Sequence, residues 1–186
     1  MPDELETFED IRYLNSGNSR QKSAFATLQS YAILETLKAF DPLLVGTVPI
    51  GIDVDGSDLD IICNSGRAEG FQEILIENFS KFRSFKLYNT IIGGASILIA
   101  RFYLNNWEIE IFGQELATRQ QNGYRHMIAE YILLLVHGTE LREKVIALKE
   151  GGMKTEPAFA AALDLKGDPY LALLELNLSD KDTSQS

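Results

Sequence analysis

One stretch of the chain, residues 44–62, restricts the possible folds and functions more than any other. It reads Leu-Val-Gly-Thr-Val-Pro-Ile-Gly-Ile-Asp-Val-Asp-Gly-Ser-Asp-Leu-Asp-Ile-Ile, so that Asp58 and Asp60 open an apolar run after a glycine-containing loop. Because successive side chains of a β-strand point to opposite faces, the two carboxylates share one face, roughly 6.5–7 Å apart along the strand. Two carboxylates at a strand start beside such a loop predict a site for Mg²⁺ and phosphate.

The same stretch resembles the nucleotidyltransferase superfamily, which includes DNA polymerase β, aminoglycoside nucleotidyltransferases and small antitoxin-like nucleotidyltransferases. The family pattern is a Gly-Ser or Gly-Gly pair, a spacer, and then Asp-apolar-Asp-apolar. Many small members add a glycine in the spacer and a serine before the first aspartate. The positions that match are Gly46, Thr47, Gly51, Ser57, Asp58 and Asp60. Thr47 keeps the hydroxyl of the serine, whereas Val48 and Ile50 stand where small members often carry arginines.

Three further runs extend the resemblance over most of the chain. They are Ile-Glu-Ile-Phe-Gly-Gln at 109–114, Tyr-Arg-His-Met at 124–127 and Lys-Thr-Glu-Pro-Ala-Phe-Ala at 154–160. Together they resemble a family of small bacterial proteins of unknown function. The implied fold is α+β: a small mixed β-sheet nucleotidyltransferase core with helices (1–115), a C-terminal helical subdomain (116–178) and a flexible tail (179–186).

The resemblance also implies a third carboxylate, on a later strand beside the one that carries Asp58 and Asp60. Residues 107–112 alternate between apolar and acidic, which places Glu108 and Glu110 on one face. Alternation alone cannot choose between them. Glu110, between two isoleucines, fits the apolar-acid-apolar pattern better, whereas Glu108 is nearer the preceding turn. An ordinary exposed strand face would explain the same alternation.

The resemblance assigns metal binding and catalysis to Asp58, Asp60 and Glu110, and nucleotide binding to Gly46, Thr47 and Ser57. The implied cofactor is Mg²⁺ or Mn²⁺, and the implied substrate is an NTP. Nucleotidyl transfer needs charge neutralisation on phosphate oxygens and in-line positioning, which carboxylate-held metal ions supply. Turn geometry would also explain the glycines, and a strand-start hydrogen bond the serine. Candidates to replace the loop arginines are Arg119, Arg125 and Lys154, each of which also fits a surface charge.

The charge balance bears on partners. The chain of 186 residues carries a net charge of −10, and its lysines and arginines are scattered. Because nucleic-acid binders gain most of their affinity from basic residues on phosphates, this composition disfavours nucleic acid and favours a small-molecule or protein acceptor. The oligomeric state is not indicated.

Two further features bear on location. The one cysteine, Cys63, fits a reducing cytoplasm. The longest uninterrupted apolar run, Tyr131–Val136, is too short to cross a bilayer, and the acidic N-terminus does not resemble a signal peptide. We therefore expect a cytoplasmic protein without a membrane partner.

Local patterns predict the secondary structure. The predicted helices are 20–40, 67–79, 119–136, 140–149, a short helix capped by Thr155, and 169–176 capped by Asp168. The predicted strands are 43–45, 59–63, 82–88, 96–103 and 107–112. The first ten residues read as a loose helix, and the loop residues Asp53 and Asp55 as solvated.

Two functions remain open. The first is a metal-dependent nucleotidyltransferase that moves a nucleoside monophosphate onto a hydroxyl of a small molecule or protein. The second is a non-catalytic, antitoxin-like or regulatory binding protein that keeps the fold. The paired carboxylates favour the first, because a silent scaffold has no physical need for acids that repel each other. The missing loop arginines and the acidic charge favour the second.

Overall fold

The computed structural model describes residues 6–176, which contain a five-stranded mixed sheet and α-helices. The helices are α1 (Ser19–Ser30), α2 (Ile33–Thr36), α3 (Phe71–Phe79), α4 (Asn122–Glu150), α5 (Thr155–Leu163) and α6 (Pro169–Glu175). The strands are β1 (Leu43–Val45), β2 (Leu59–Asn64), β3 (Arg83–Ile92), β4 (Ala95–Leu104) and β5 (Trp107–Gln114). Short 3₁₀ turns cover Glu6–Glu9, Arg12–Ser16, Lys38–Phe40 and Thr118–Gln120. The predicted α+β class is confirmed. The predicted tail, 179–186, and the first part of the predicted N-terminal helix lie outside the described residues.

The strand order in the sheet is β1-β2-β5-β4-β3. β2 and β5 are parallel, and every other neighbouring pair is antiparallel. In this register Asp60 pairs with Val45 on one side and with Glu110 on the other, and Glu110 pairs with Arg101. Directly paired residues share a face, so one row of side chains crosses the sheet from β1 to β4.

The hydrophobic core covers the opposite face of the sheet. Alternate strand residues enter it, among them Leu59, Ile61, Ala100, Phe102, Ile109 and Ile111. α1 and α3 pack on them through Ala24, Leu28, Phe71, Leu75 and Phe79. Cys63 is fully buried in this core, and burial raises the pKa of its thiol. The alternation that buries these apolar residues leaves the acidic positions on the other face.

The predicted helix 20–40 is wrong beyond its first part. Asn18 caps α1 with a capping box to Gln21, and the helix ends at Ser30. Ala32 then adopts a left-handed conformation with φ of 50°, and Ile33 and Leu37 after it are fully buried. Apolar spacing does not reveal this turn, because the residues on both sides of it are buried in the same core.

Two other helix boundaries differ from the predictions. α3 begins at Phe71 rather than 67, because Gly70 before it has a φ of 82°. The predicted helices 119–136 and 140–149 form one element, α4, from Asn122, interrupted by Gly138 in a non-helical conformation. The gap predicted between these two helices falls at this glycine, and the predicted cap of α6 by Asp168 is confirmed. The predicted cap by Thr155 is wrong, because Thr155 is the first residue of α5 and Lys154 is its N-cap.

The chain divides into two compact units, Met1–Tyr124 and Arg125–Ser186. The first holds the whole sheet, and the predicted boundary after residue 115 stays a prediction. In the second, His126 lies 3.3 Å from the Glu156 carboxylate and 3.1 Å from the Tyr170 carbonyl oxygen. Within the described range, no helix has the length and apolar character needed to span a membrane.

Candidate functional site

The three predicted carboxylates meet at the start of β2. Asp58 directly precedes this strand, and Asp60 is paired with Glu110 on β5. One carboxylate oxygen from each residue lies within 4.8 Å of the others. Asp58 and Asp60 are half-buried, and Glu110 is buried with 7% exposure. Three converging carboxylate oxygens are the donor set that Mg²⁺ and Mn²⁺ prefer, so the residues fit a divalent ion.

The environment of Glu110 shifts its proton affinity. Burial is the largest influence and raises the pKa of its carboxyl, and the negative charges of Asp58 and Glu108 raise it further. The positive charge of Arg101 opposes these effects without cancelling them. Glu110 is poorly hydrated and lies near other negative charges, so a bound divalent cation would stabilise its charged form.

Arg101 is the residue of this site that the sequence analysis missed. It lies on β4 opposite Glu110, and its Nη2 forms an ion pair with the Glu110 carboxylate. Its Nε lies 3.1 Å from Glu108 Oε1, although the geometry there is not that of a hydrogen bond. Desolvation lowers the pKa of the guanidinium, but the charges of Glu110 and Glu108 raise it overall. The arginine therefore stays charged beside the acids.

Glu108 has a different environment from Glu110. It pairs with Tyr103 across β4 and β5, and the Tyr103 hydroxyl donates a hydrogen bond to its carboxylate. It is not part of the cluster formed by Asp58, Asp60 and Glu110. Both glutamates face the same side, as alternation predicts, but only Glu110 lies in register with Asp60.

The loop after β1 approaches the cluster at Gly46. This glycine has a φ of 84°, and a Cβ placed on it would lie 2.9 Å from Asp60 Oδ2. Two constraints therefore require glycine here: the left-handed backbone and the closeness of the carboxylate. Thr47 accepts a hydrogen bond from the Ile52 amide at 3.1 Å through its carbonyl. Ser57 Oγ accepts one from the Val54 amide at 3.0 Å, so it stabilises the turn before β2.

The remainder of this loop is anchored in the protein. Val48 and Ile50, where small superfamily members often carry arginines, are almost fully buried. Asp53 was predicted to be solvated, and this is wrong: its side chain is 3% exposed and forms an ion pair with Arg20. Asp55, in contrast, is fully exposed as predicted. Asp53 is buried because the loop folds back onto α1, a long-range contact that the local sequence does not indicate.

Of the three candidate replacements for the loop arginines, Arg119 lies in the first unit, and it does not join the acidic cluster. Arg119 forms ion pairs with Glu9 and Asp41. Asp41 precedes β1, whose first residue, Leu43, pairs with Ile62 near the end of β2. Arg119 is therefore held toward the opposite end of β2 from Asp58. Arg125 and Lys154 belong to the second unit, and their role stays a prediction.

Solved structures with a similar fold exist. The chain is similar to the structure of the GLD-2/RNP-8 complex, with a TM-score of 0.51, 12% identity, and coverage of 88% of this chain and 63% of that one. It also matches the Cid1 RNA terminal uridylyl transferase structure, with a TM-score of 0.49, 13% identity, and coverage of 80% and 45%. The chain thus spans less than two thirds of the length of these proteins. Its fold is that of the nucleotidyltransferases.

A family model matches residues 26–176, so the chain belongs to the family described as a domain of unknown function, DUF4269. No curated protein matches the chain by sequence. The likeness to solved structures concerns the fold alone.

Proposed function

We propose that this protein is a metal-dependent nucleotidyltransferase, which moves a nucleoside monophosphate from an NTP to a hydroxyl of a small molecule or protein. One observation carries the proposal: Asp58, Asp60 and Glu110 converge within 4.8 Å on one face of a nucleotidyltransferase-like sheet. The buried Cys63 is compatible with a cytoplasmic location.

Each carboxylate has a role in this proposal. Asp58 and Asp60 would hold Mg²⁺ or Mn²⁺, and Glu110 would complete the site on the acceptor side. When bound, the metal neutralises charge on the phosphate oxygens. The acceptor hydroxyl oxygen attacks the α-phosphorus, its proton passes to the Glu110 carboxylate, and pyrophosphate leaves. Glu110 is placed for this role because one of its carboxylate oxygens lies within 4.8 Å of oxygens of Asp58 and Asp60.

The loop from Gly46 to Ser57 would bind the nucleotide. Gly46 brings the backbone against the Asp60 carboxylate, so a phosphate on the metal would lie beside the Gly46 and Thr47 amides. Ser57 would keep the loop in shape through its hydrogen bond with Val54. Because Val48 and Ile50 are apolar and buried, contacts from arginine side chains to the phosphates would come from outside this loop.

The second candidate is a binding protein without transfer activity. The observation in its favour is the ion pair between Arg101 and Glu110, which neutralises part of the acidic cluster without a metal. A protein that used Arg101 in this way permanently would bind neither divalent ions nor Mg-NTP with useful affinity. Metal binding therefore separates the two functions.

The test is a calorimetric titration with Mn²⁺, alone and with ATP, on the parent protein and two variants. Asp60→Asn should abolish nucleotide-enhanced Mn²⁺ binding. Glu73→Gln, which removes an exposed carboxylate from α3 on the opposite face of the sheet, should bind like the parent. Unchanged binding by Asp60→Asn would reject the proposed metal site. Absence of both Mn²⁺ and Mn²⁺-ATP binding by the parent protein would favour the binding protein.

A further inference from the structure

We propose that the acceptor is a small phosphorylated molecule, bound on the sheet face beside the acidic cluster by a basic strip. The basic strip consists of Arg83, Lys86, Tyr88, Arg101 and Tyr103 on β3 and β4. The inference rests on the proposed function, because it gives the acceptor a place next to Glu110.

The register places the basic strip on the same face as the acids. Lys86 pairs with Arg101, which pairs with Glu110, which pairs with Asp60. Directly paired residues share a face, so these four side chains form one row. Neighbouring strands are about 4.8 Å apart, and the Lys86 backbone is therefore about 10 Å from that of Glu110.

Two cations of the strip, Arg83 and Lys86, differ from Arg101 and from the other arginines of the first unit. Arg12, Arg20, Arg67 and Arg119 all form ion pairs with carboxylates, and Arg101 contacts Glu108 and Glu110. Arg83 and Lys86 are exposed, and within residues 6–176 neither has a carboxylate within ion-pairing distance. Arg83 instead lies over the Tyr103 ring, with its Cζ 4.7 Å from the ring centroid. Two positive charges are thus available to an anion in a chain whose net charge is −10.

Tyr88 gives the strip an aromatic edge. It is two residues along β3 from Lys86, on the same face, and 40% of it is exposed. An exposed ring beside a cation suits a sugar or base attached to the phosphate. The partner that fits these features has an anionic group near Lys86 and a reactive hydroxyl on the order of 10 Å away, near Glu110.

The number of cations favours a small acceptor over a nucleic acid. Nucleic-acid binders neutralise many phosphates, and each neutralised phosphate adds to affinity. The two cations of the strip without a carboxylate partner, Arg83 and Lys86, match one or two phosphate groups.

The experiment uses ribose 5-phosphate as the probe and measures its affinity by NMR titration of the full chain in metal-free buffer. The parent should bind ribose 5-phosphate and not ribose. The double variant Arg83→Gln/Lys86→Gln should weaken binding at least tenfold. The control Lys22→Gln/Lys38→Gln removes the same charge; Lys22 lies on α1, which packs on the opposite face through Ala24 and Leu28. It should leave the affinity unchanged. Equal weakening in both double variants, or no binding by the parent, would overturn the inference.

A second arm distinguishes a nucleic acid and separates this inference from the proposed function. A ten-nucleotide single strand should bind no tighter than ribose 5-phosphate. Tighter binding that depends on Arg83 and Lys86 would overturn the small acceptor in favour of an oligonucleotide. The double variant should also retain Mn²⁺-ATP binding, since neither residue belongs to the acidic cluster. Loss of ribose 5-phosphate binding with intact Mn²⁺-ATP binding would support the basic strip as the acceptor site. Loss of both would show that the variant disturbs the sheet, and would overturn the inference of an acceptor site separate from the metal site.

Discussion

Arg101 and Glu110 lie opposite each other on β4 and β5, and the arginine guanidinium contacts the carboxylate that completes the acidic cluster. The same arginine lies between the acids and the uncommitted cations of β3. It therefore affects both the charge that a metal encounters and the charge that an anionic acceptor encounters.

Arg101→Gln should bind Mn²⁺ more tightly than the parent in the absence of nucleotide, on the order of tenfold, or about 1.4 kcal/mol. The reason is that a guanidinium beside Glu110 opposes a second cation through its charge and its contact. Electron paramagnetic resonance of free Mn²⁺ during titration measures the change directly. Arg101→Lys should have a Mn²⁺ affinity between those of the parent and Arg101→Gln.

Lys86→Gln is the matched control, because it removes a positive charge one strand further from Glu110 in the same row. It should change the Mn²⁺ affinity much less than Arg101→Gln does. Weaker Mn²⁺ binding by Arg101→Gln would show that the arginine orients Glu110 rather than competing with the metal.

Glu110→Gln should abolish nucleotidyl transfer and weaken metal binding, whereas Glu108→Gln should cost less than about tenfold in rate, or roughly 1.4 kcal/mol. Glu110 lies in register with Asp60, while Glu108 contacts Tyr103 and Arg101. Transfer rate against metal concentration, for both variants side by side, measures the difference. An inactive Glu108→Gln beside an active Glu110→Gln would contradict this assignment.

Gly46→Ala should lower both stability and metal affinity. Its φ of 84° places an alanine in a left-handed conformation, at a cost of about 1–2 kcal/mol, and the added Cβ would press on Asp60 Oδ2. Gly56→Ala is the control: its φ is 86°, but nothing lies within 4 Å of the added Cβ. Both should lower the melting temperature, and only Gly46→Ala should weaken Mn²⁺ binding. If Gly46→Ala and Gly56→Ala had equal Mn²⁺ affinities, the close approach of Gly46 to Asp60 would not matter for metal binding.

Glu130→Gln should change the pH dependence of stability. Burial raises the pKa of Glu130 well above its ordinary value, Glu156 raises it further, and Lys149 opposes the shift. A carboxyl whose pKa is raised on folding stabilises the folded state below its unfolded pKa, and this contribution is lost as pH rises through the folded pKa. The parent should therefore lose free energy of unfolding relative to Glu130→Gln between pH 5 and pH 8.

Urea unfolding at the two pH values gives this difference, and each unit of raised pKa is worth about 1.4 kcal/mol. Glu150→Gln, at the exposed end of the same helix, is the control. The comparison rests on the difference between the two variants, which share the rest of the protein. A parallel pH profile for the parent and Glu130→Gln would contradict the prediction.

The strands were predictable because their alternation is carried by the residues themselves. Leu59 and Ile61 alternate with Asp58 and Asp60, and the structure buries the apolar pair as expected. The turn at Ala32 was not predictable, because alanine favours helix and the apolar spacing continues through it. Tertiary packing of Ile33 and Leu37 decides that turn.

The part of the candidate site that depends on the sequence of a single strand was predictable. Asp58 and Asp60 follow from one segment, and the preference for Glu110 follows from position along another. Arg101 was out of reach, because β4 offers no motif and its relation to Glu110 depends on the register between two strands. The burial of Asp53 was also not predictable, because it depends on a long-range contact with Arg20 on α1.

The parallel pairing of β2 with β5 has a consequence for how the protein acquires its site during folding. Asp60 and Glu110 are neighbours in the sheet but fifty residues apart in the chain, with α3, β3 and β4 between them. Long-range closure of this kind is slow compared with local hairpins. A nascent chain therefore carries both aspartates before it has a third ligand, and the onset of Mn²⁺ binding in a refolding experiment would report the moment at which the sheet closes.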